Sequence, residues 1–180
     1  MPSLDRLIAR LSSLIGAATD TLERDPARVD GWYSEVSAQI RRYHQAAYLN
    51  GAGTRDLSDA ARRAVDQDIA TQLQFLKQFK IEIQGAPEWQ VGWNARAAMY
   101  AKSIQVPYWR GVTKLLPLPA MPGDGSTACL TNCGCAWDVQ EVGADSYDAY
   151  WRRGKNDSCQ GCIQREQEWA PLQVRNGELR

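Results

Sequence analysis

The apolar positions of the first part of the chain recur at helical spacing and predict three long amphipathic helices. The first has Ser3 as N-cap and ends at Asp25-Pro26, because the residue before a proline avoids the α conformation. Its apolar stripe consists of Leu4, Leu7, Ile8, Leu11, Leu14, Ile15, Ala18 and Leu22.

Two further helices follow from the same pattern. One runs from about Asp30 to Tyr48 and is closed by the glycine-containing segment 49–53. The other spans about Ser58 to Ile83. Its apolar stripe is the longest of the three and consists of Ala61, Val65, Ile69, Leu73, Leu76, Phe79 and Ile83.

A fourth helix, rich in small residues, is predicted to begin near Trp93, and Pro107 is expected to end or kink it. After Leu116 the segment "PLPAMPGDG" holds three prolines and two glycines, which predicts an extended connector and a turn at Asp124-Gly125. The rest has few aliphatic side chains, and small segments of this kind usually need a staple. Strand content there is open, with a short hairpin arm possible at Trp137–Val142.

The predicted fold class is therefore mainly α. About four helices form an irregular bundle over residues 1–116, and a small, loop-rich, Cys-rich lobe stapled by zinc covers residues 117–180. Lys and Arg total 21, as do Asp and Glu. With no basic excess, nucleic-acid contact is possible but not indicated. The N-terminus does not resemble a secretory signal, and no apolar run reaches the length of a membrane span, so we expect an intracellular, soluble protein without membrane partners.

All five cysteines lie in the last third, spaced as Cys129-x3-Cys133-x-Cys135 and Cys159-x2-Cys162. A C-x2-C pair can place both sulfurs on one tetrahedral ion, with Gly161 permitting the tight turn. An odd number of cysteines in a reducing compartment disfavours a disulfide framework. Structural zinc contributes on the order of 10–16 kcal/mol to folding, against about 2–4 kcal/mol for one disulfide. We therefore predict a structural Zn²⁺ site, with free thiols and a redox dithiol as open alternatives.

The expected ligands are Cys159 and Cys162 with two of the other three cysteines. Cys129 and Cys133 are favoured, because a one-residue gap makes Cys133 and Cys135 awkward partners on one ion. A redox C-x2-C would have to open a helix after a strand. The preceding segment "YWRRGKNDS" is polar and does not predict a buried strand.

Other candidate chemistry is weak, and nothing in the sequence argues for an enzyme. The only histidine, His44, is interpreted as a surface or half-buried helical residue rather than as part of a catalytic triad. Asp66 and Asp68 lie on a strongly helical segment and are interpreted as solvated charge. The tryptophans that flank the thiols are expected to shield a metal site from water.

The segments "LPAMPGDGSTACLTNCGCAW" and "YWRRGKNDSCQGCIQREQEWAPL" resemble minor head or head-morphogenesis proteins of tailed bacteriophages. The resemblance covers roughly Ala95 to Leu172. Compared with the Mu-type proteins, the order of the two cysteine elements is reversed, and Cys129 stands roughly where those proteins have a histidine.

The resemblance implies a structural virion protein, made in the bacterial cytoplasm and built into the head or the head-to-tail connector, without enzymatic activity. Its partners would be capsid, portal or connector subunits and copies of itself, and balanced charge, amphipathic helices and exposed aromatics suit such packing. The first rival function is a zinc-containing nucleic-acid-binding adaptor, and the second is a C-x-x-C thiol oxidoreductase.

Overall fold

A computed structural model describes residues 3–154 and 159–180 and confirms a mainly α protein. Five helices occupy the N-terminal part, and a small antiparallel sheet with one more helix follows. The helices are α1 Leu4–Arg24, α2 Val29–Ala52, α3 Asp59–Gly85, α4 Trp93–Lys102, α5 Gln105–Val112 and α6 Gln160–Glu168. The strands are β1 Ala136–Gly143, β2 Ser146–Arg152, β3 Leu172–Arg175 and β4 Glu178–Leu179.

Helices α1 and α3 begin and end close to the predicted positions, whereas α2 continues to Ala52, past its predicted end at Tyr48. The side chains of Ser3 and Ser58 accept hydrogen bonds from backbone amides of the first turns of α1 and α3, at 3.4 and 3.2 Å. Gly53 ends α2 with a left-handed backbone, φ 66°, a conformation that glycine adopts without steric cost.

Pro107 lies inside the first turn of α5, and the break in the helical path lies just before it. Helix α4 ends at Lys102, and α5 begins at Gln105. A proline ring clashes with the carbonyl four residues upstream in a continuous helix, and for Pro107 that residue is Ser103. The expected interruption is therefore confirmed, but it precedes the proline.

The apolar stripes of α1, α2 and the C-terminal half of α3 pack with α4 into the main core. Phe79 lies at its centre and makes edge-to-face contacts with Trp32 and Trp93, at ring-centroid distances of 5.6 and 5.8 Å. Ala61, Val65 and Ile69 of α3 pack with Tyr48 of α2 in a separate cluster. The predicted stripe residues of α1 and α3 supply most of the buried side chains of those helices.

Helices α2 and α5 cross at contact between their backbones. A Cβ atom on Gly51 would lie 2.0 Å from the carbonyl oxygen of Tyr108, and one on Gly111 would lie 2.4 Å from that of Tyr48. Because real Cβ contacts do not fall below 3.0 Å, the crossing requires glycine on both helices.

The four strands form an antiparallel meander in the order β1-β2-β3-β4. Its buried face carries Trp137 opposite Trp151 on the β1–β2 pair, and Ala149 two residues along. The expectation that "YWRRGKNDS" contains no buried strand is wrong for its first part, because Tyr150–Arg152 ends β2 and Trp151 is 1% exposed. Lys155–Ser158 lie outside the described residues.

The proline-rich connector packs against the sheet and α5. Residues 120–123 are buried, and the indole nitrogen of Trp137 donates a 2.9 Å hydrogen bond to the Ala120 carbonyl. A second core consists of the buried side chains of Val106, Met121, Cys133, Cys135, Trp137, Ala149, Trp151 and Cys162. Val106 thus links α5 to this core, while the opposite side of α5 contacts α2. Helix α5 therefore belongs to both halves of the chain.

Several surface expectations are wrong. Exposed aromatic side chains were expected, but none of the seven tryptophans is exposed. Among the exposed large hydrophobic residues of the described chain, Phe75 alone is aromatic. His44 is fully buried instead of half-buried or exposed. Asp68 is largely buried and forms a two-pronged ion pair with Arg110, at 2.9 and 3.2 Å. Over the described ranges, no helix has the length and apolarity required to cross a membrane.

Candidate metal centre

The five cysteines, here called the thiol cluster, converge on one place in the second core. None of them forms a disulfide. Their sulfurs form two triads, and within each triad all Sγ atoms lie within 4.8 Å of one another. The outer triad is Cys129, Cys159 and Cys162, and the inner triad is Cys133, Cys135 and Cys162. Cys162 is common to both, lying 3.6 Å from Cys159 and 3.9 Å from Cys133.

The first three cysteines are positioned by a short irregular segment between the connector and β1. A single 3₁₀ turn, Leu130–Asn132, separates Cys129 from Cys133, and β1 begins directly after Cys135. The turn is fixed to the helical half by Gln105, whose side-chain amide donates a 2.7 Å hydrogen bond to the Thr131 carbonyl. The position of this group therefore depends on α5.

The C-x2-C pair opens helix α6. Cys159 is the N-cap residue and Cys162 lies in the first turn, where its amide donates a 3.0 Å hydrogen bond to the Cys159 carbonyl. Two arginines hold α6 in place. Arg165 donates a 2.9 Å hydrogen bond to the Ser126 hydroxyl, and Arg153 forms an ion pair with Glu166.

The two segments that carry the thiols meet at two glycines. A Cβ atom on Gly154 would lie 2.5 Å from the Gly134 carbonyl oxygen, which is too close for any other residue. The Gly154 amide also donates a hydrogen bond to the Cys135 sulfur. Gly161, expected to permit a tight turn, lies within α6, and a Cβ atom there would make only an ordinary 3.5 Å contact with Thr127.

Three tryptophans pack in the same buried cluster as the thiols. Trp137 stacks on Trp169 with ring centroids 5.7 Å apart and planes 6° apart, and Trp151 lies edge-on to both. The Arg165 guanidinium lies 4.9 Å from the centroid of the Trp169 ring and 5.2 Å from that of Trp151. These side chains restrict access of water to the inner thiols, which are 5% exposed or less.

The thiols differ in their acidity. A hydrogen bond from the Cys129 thiol lowers the pKa of Cys159 to about 6. Burial raises the pKa of Cys162 and also that of Cys135. The thiolate of Cys159 therefore forms before those of Cys135 and Cys162, whose protons are replaced when a cation binds.

The geometry of the cluster is that of a site that could hold a metal ion. A tetrahedral ion about 2.3 Å from each thiolate places the sulfurs about 3.8 Å apart, and the two sulfur distances at Cys162 are 3.6 and 3.9 Å. All five predicted ligand residues come together. The sulfurs of Cys133 and Cys135 lie within 4.8 Å of each other and of Cys162, so a one-residue gap is no obstacle to their sharing an ion.

The sequence analysis did not identify the residues that support the cluster, namely Gly154, Arg153, Glu166 and Arg165. Gly154 follows two arginines in a polar segment, where a glycine is ordinary for a loop. The contact that requires it joins segments distant in sequence, which no local pattern reveals.

A separate cavity of about 590 Å³ lies between helices α2 to α5 and the loop segments on both sides of Cys129. His44 and Ser103 line it, with 3.4 Å between the imidazole Nε2 and the hydroxyl. The Ser103 hydroxyl donates a 2.7 Å hydrogen bond to the Tyr100 carbonyl, and His44 Nδ1 is 2.8 Å from the Ile40 carbonyl. Since burial lowers the pKa of His44 to about 4, the imidazole is neutral at neutral pH. Both side chains are held by backbone carbonyls of their own helices.

Comparisons with protein-family models, with curated proteins and with solved structures find no match for this chain.

Proposed function

We propose that this chain is a non-enzymatic structural protein whose C-terminal lobe is held in shape by zinc bound to the thiol cluster. The observation that carries the proposal is the convergence of five unbridged thiols from two separate segments. Zinc is the natural occupant, because thiolates bind it well and it has no redox chemistry.

Energetics support a stapling role. The second core is small, and its elements are short strands, a nine-residue helix and irregular segments. Such a lobe has little apolar burial to offset its conformational entropy. Zinc contributes on the order of 10–16 kcal/mol to the folding of small domains, which is more than one small apolar cluster supplies.

Native mass spectrometry of the full chain, purified under reducing conditions with and without a chelator, tests the zinc site. We expect bound zinc in the untreated protein, its loss with the chelator, and loss of near-UV circular dichroism from the tryptophans of the lobe. A protein that takes up no ion, carries five alkylatable thiols and keeps its near-UV spectrum would contradict the proposal.

We further propose that the chain is a minor head or head-to-tail connector component of a tailed phage. The support is the resemblance of residues Ala95 to Leu172 to such proteins, together with the balanced charge and the amphipathic helices. Its partners would be capsid, portal or connector subunits and copies of itself. Sedimentation of a lysate from the cells that make the chain tests this. The chain should sediment with head particles, and its presence only in the particle-free supernatant would contradict the assignment.

One observation favours a second candidate function, a thiol oxidoreductase. A strand does precede the C-x2-C pair, which opens α6 with Cys159 half-exposed and Cys162 buried 3.6 Å away. Thiolates at helix N-termini are reactive in such enzymes. The three additional thiols beside this pair favour the metal site, because a dithiol has no need of them. Turnover of a disulfide substrate that is lost in Cys159→Ser, in metal-free protein, would favour the oxidoreductase.

A further inference from the structure

The thiol cluster has the geometry of two sites that share a corner. Every sulfur of the outer triad lies within 4.8 Å of the others, and the same holds for the inner triad. The described residues form two groups of three in this way and no group of four. Cys162 is the single link between Cys129 and Cys159 on one side and Cys133 and Cys135 on the other.

One tetrahedral ion fits this arrangement poorly. Four thiolates on one zinc must all lie about 3.8 Å from one another, which would require sulfurs from the two sides of Cys162 to move together. It would also leave a fifth thiol beside the ion without a role. Two ions do not require the sulfurs on either side of Cys162 to approach one another, since one thiolate sulfur has enough lone pairs to bind two cations.

Charge and burial point in the same direction. Five thiolates carry five negative charges, and each of the three inner-triad residues is 5% exposed or less. One Zn²⁺ leaves a net charge of −3 on the deprotonated cluster and two leave −1, whereas one Cu⁺ leaves −4 and two leave −3. Because uncompensated buried charge is costly, a second cation stabilises the fully deprotonated cluster.

We propose that the thiol cluster binds two soft, closed-shell cations bridged by the sulfur of Cys162. One ion is held by the outer triad, Cys129, Cys159 and Cys162, and the other by the inner triad, Cys133, Cys135 and Cys162. This rests on the proposed metal site and deepens it. On binding, the ions replace the thiol protons, up to five of which pass to the buffer, and no electrons are transferred.

Zn²⁺ and Cu⁺ share the chemistry that these triads recognise, since thiolates select both. Zn²⁺ takes a fourth ligand, and the half-exposed outer triad admits a water molecule for it. The buried inner triad offers three thiolates and little room for water, a set suited to Cu⁺ as well. The two cations therefore serve as separate arms of the test.

The test is the number of ions bound per chain. The full-length protein, freshly reduced and kept anaerobic, is titrated with Zn²⁺ in one arm and Cu⁺ in the other, each against a colorimetric competitor, and the product is weighed by native mass spectrometry. Two ions per chain in either arm supports the bridged site, and the arm that reaches two identifies the cation. One ion in both arms overturns the bridged site but leaves the zinc staple standing. No ion in either arm overturns both.

Single variants then assign the two positions. Cys129→Ser should keep one ion, held by the inner triad, and Cys135→Ser should keep one ion, held by the outer triad. Cys162→Ser should lose at least one ion and weaken the binding of any other. The matched control is Gln160→Ala, an exposed residue between the C-x2-C cysteines, which should keep two. Far-UV circular dichroism verifies that each variant retains its helices. Identical loss of all metal in Cys129→Ser and Cys135→Ser would overturn the assignment, because it indicates one shared ion.

Discussion

Acidification should destabilise this protein through its only histidine. His44 is fully buried in α2, and burial lowers the pKa of its imidazole from the ordinary 6.5 to about 4. The unfolded chain therefore binds a proton on His44 between about pH 6.5 and 4, while the folded chain does not. Stability is fully present above this window, falls as the pH is lowered through it, and changes no further below pH 4 from this group.

The size of the effect follows from the shift. A difference of about 2.5 pKa units at about 1.4 kcal/mol per unit corresponds to roughly 3 kcal/mol. That is a large part of the total stability of an ordinary domain. The group is buried, so solvent screening reduces the effect little.

Two measurements check the effect. Because the chain has one histidine, the NMR signal of its imidazole titrates without overlap and should report a pKa near 4 in the folded protein. Urea unfolding of the chain and of His44→Phe, followed at several pH values, should show the wild-type stability falling by about 3 kcal/mol relative to the variant. Both proteins carry the same thiol cluster, so metal loss in acid cancels in the difference. Parallel pH profiles, or a folded-state pKa near 6.5, would refute the reasoning.

Three further predictions concern glycines and the staple. Gly111→Ala should destabilise the protein by about 3 kcal/mol or more in urea unfolding, because its Cβ would lie 2.4 Å from the Tyr48 carbonyl oxygen; Gly31→Ala, a helical glycine with open space around it, should be neutral or mildly stabilising. Gly154→Ala should weaken zinc binding by a factor of about 10 or more in a competitor titration, because the added methyl group would push apart the two segments that carry the thiols. Gly161→Ala should leave zinc binding unchanged. Chelation should red-shift tryptophan emission while most far-UV helical signal remains.

Each of these outcomes has a clear opposite. Equal stability of Gly111→Ala and Gly31→Ala would mean that α2 and α5 do not touch through their backbones. Equal zinc affinity of Gly154→Ala and Gly161→Ala would mean that the approach of the two thiol segments does not set the site. Unchanged tryptophan emission after metal removal would mean that the packing of the tryptophans does not depend on a metal bound to the thiol cluster.

The long helices were predictable because one face of each carries the apolar residues that the core requires. The stripe of α3, from Ala61 to Ile83, appears in the sequence and among the buried residues, except that Leu73 is only half-buried. The break between α4 and α5 also follows from the sequence, because the ring of Pro107 would clash with the carbonyl of Ser103, four residues upstream, in a continuous helix. In such segments local pattern and packing agree.

The sheet was less predictable because its strands are short and partly polar. The alternation in β2, where Ala149 and Trp151 point inward and Asp148 and Tyr150 do not, is present in the sequence. It is obscured by the arginines and the polar loop that follow. The convergence of the cysteines followed from their spacing, but their division into two triads depends on distances between sulfurs of segments far apart in sequence. No motif encodes those distances.

Helix α5 has a consequence for how this chain evolves and for how it is dissected. With Gly111 pressed on α2 and Val106 in the core of the sheet, the helix serves as a shared wall. A fragment that ends at Leu116 would keep α5 but expose the side of it that carries Val106. The remaining C-terminal fragment would lack the α5 side chains that complete its core. The C-terminal segment is thus not a portable module that recombination could graft elsewhere intact.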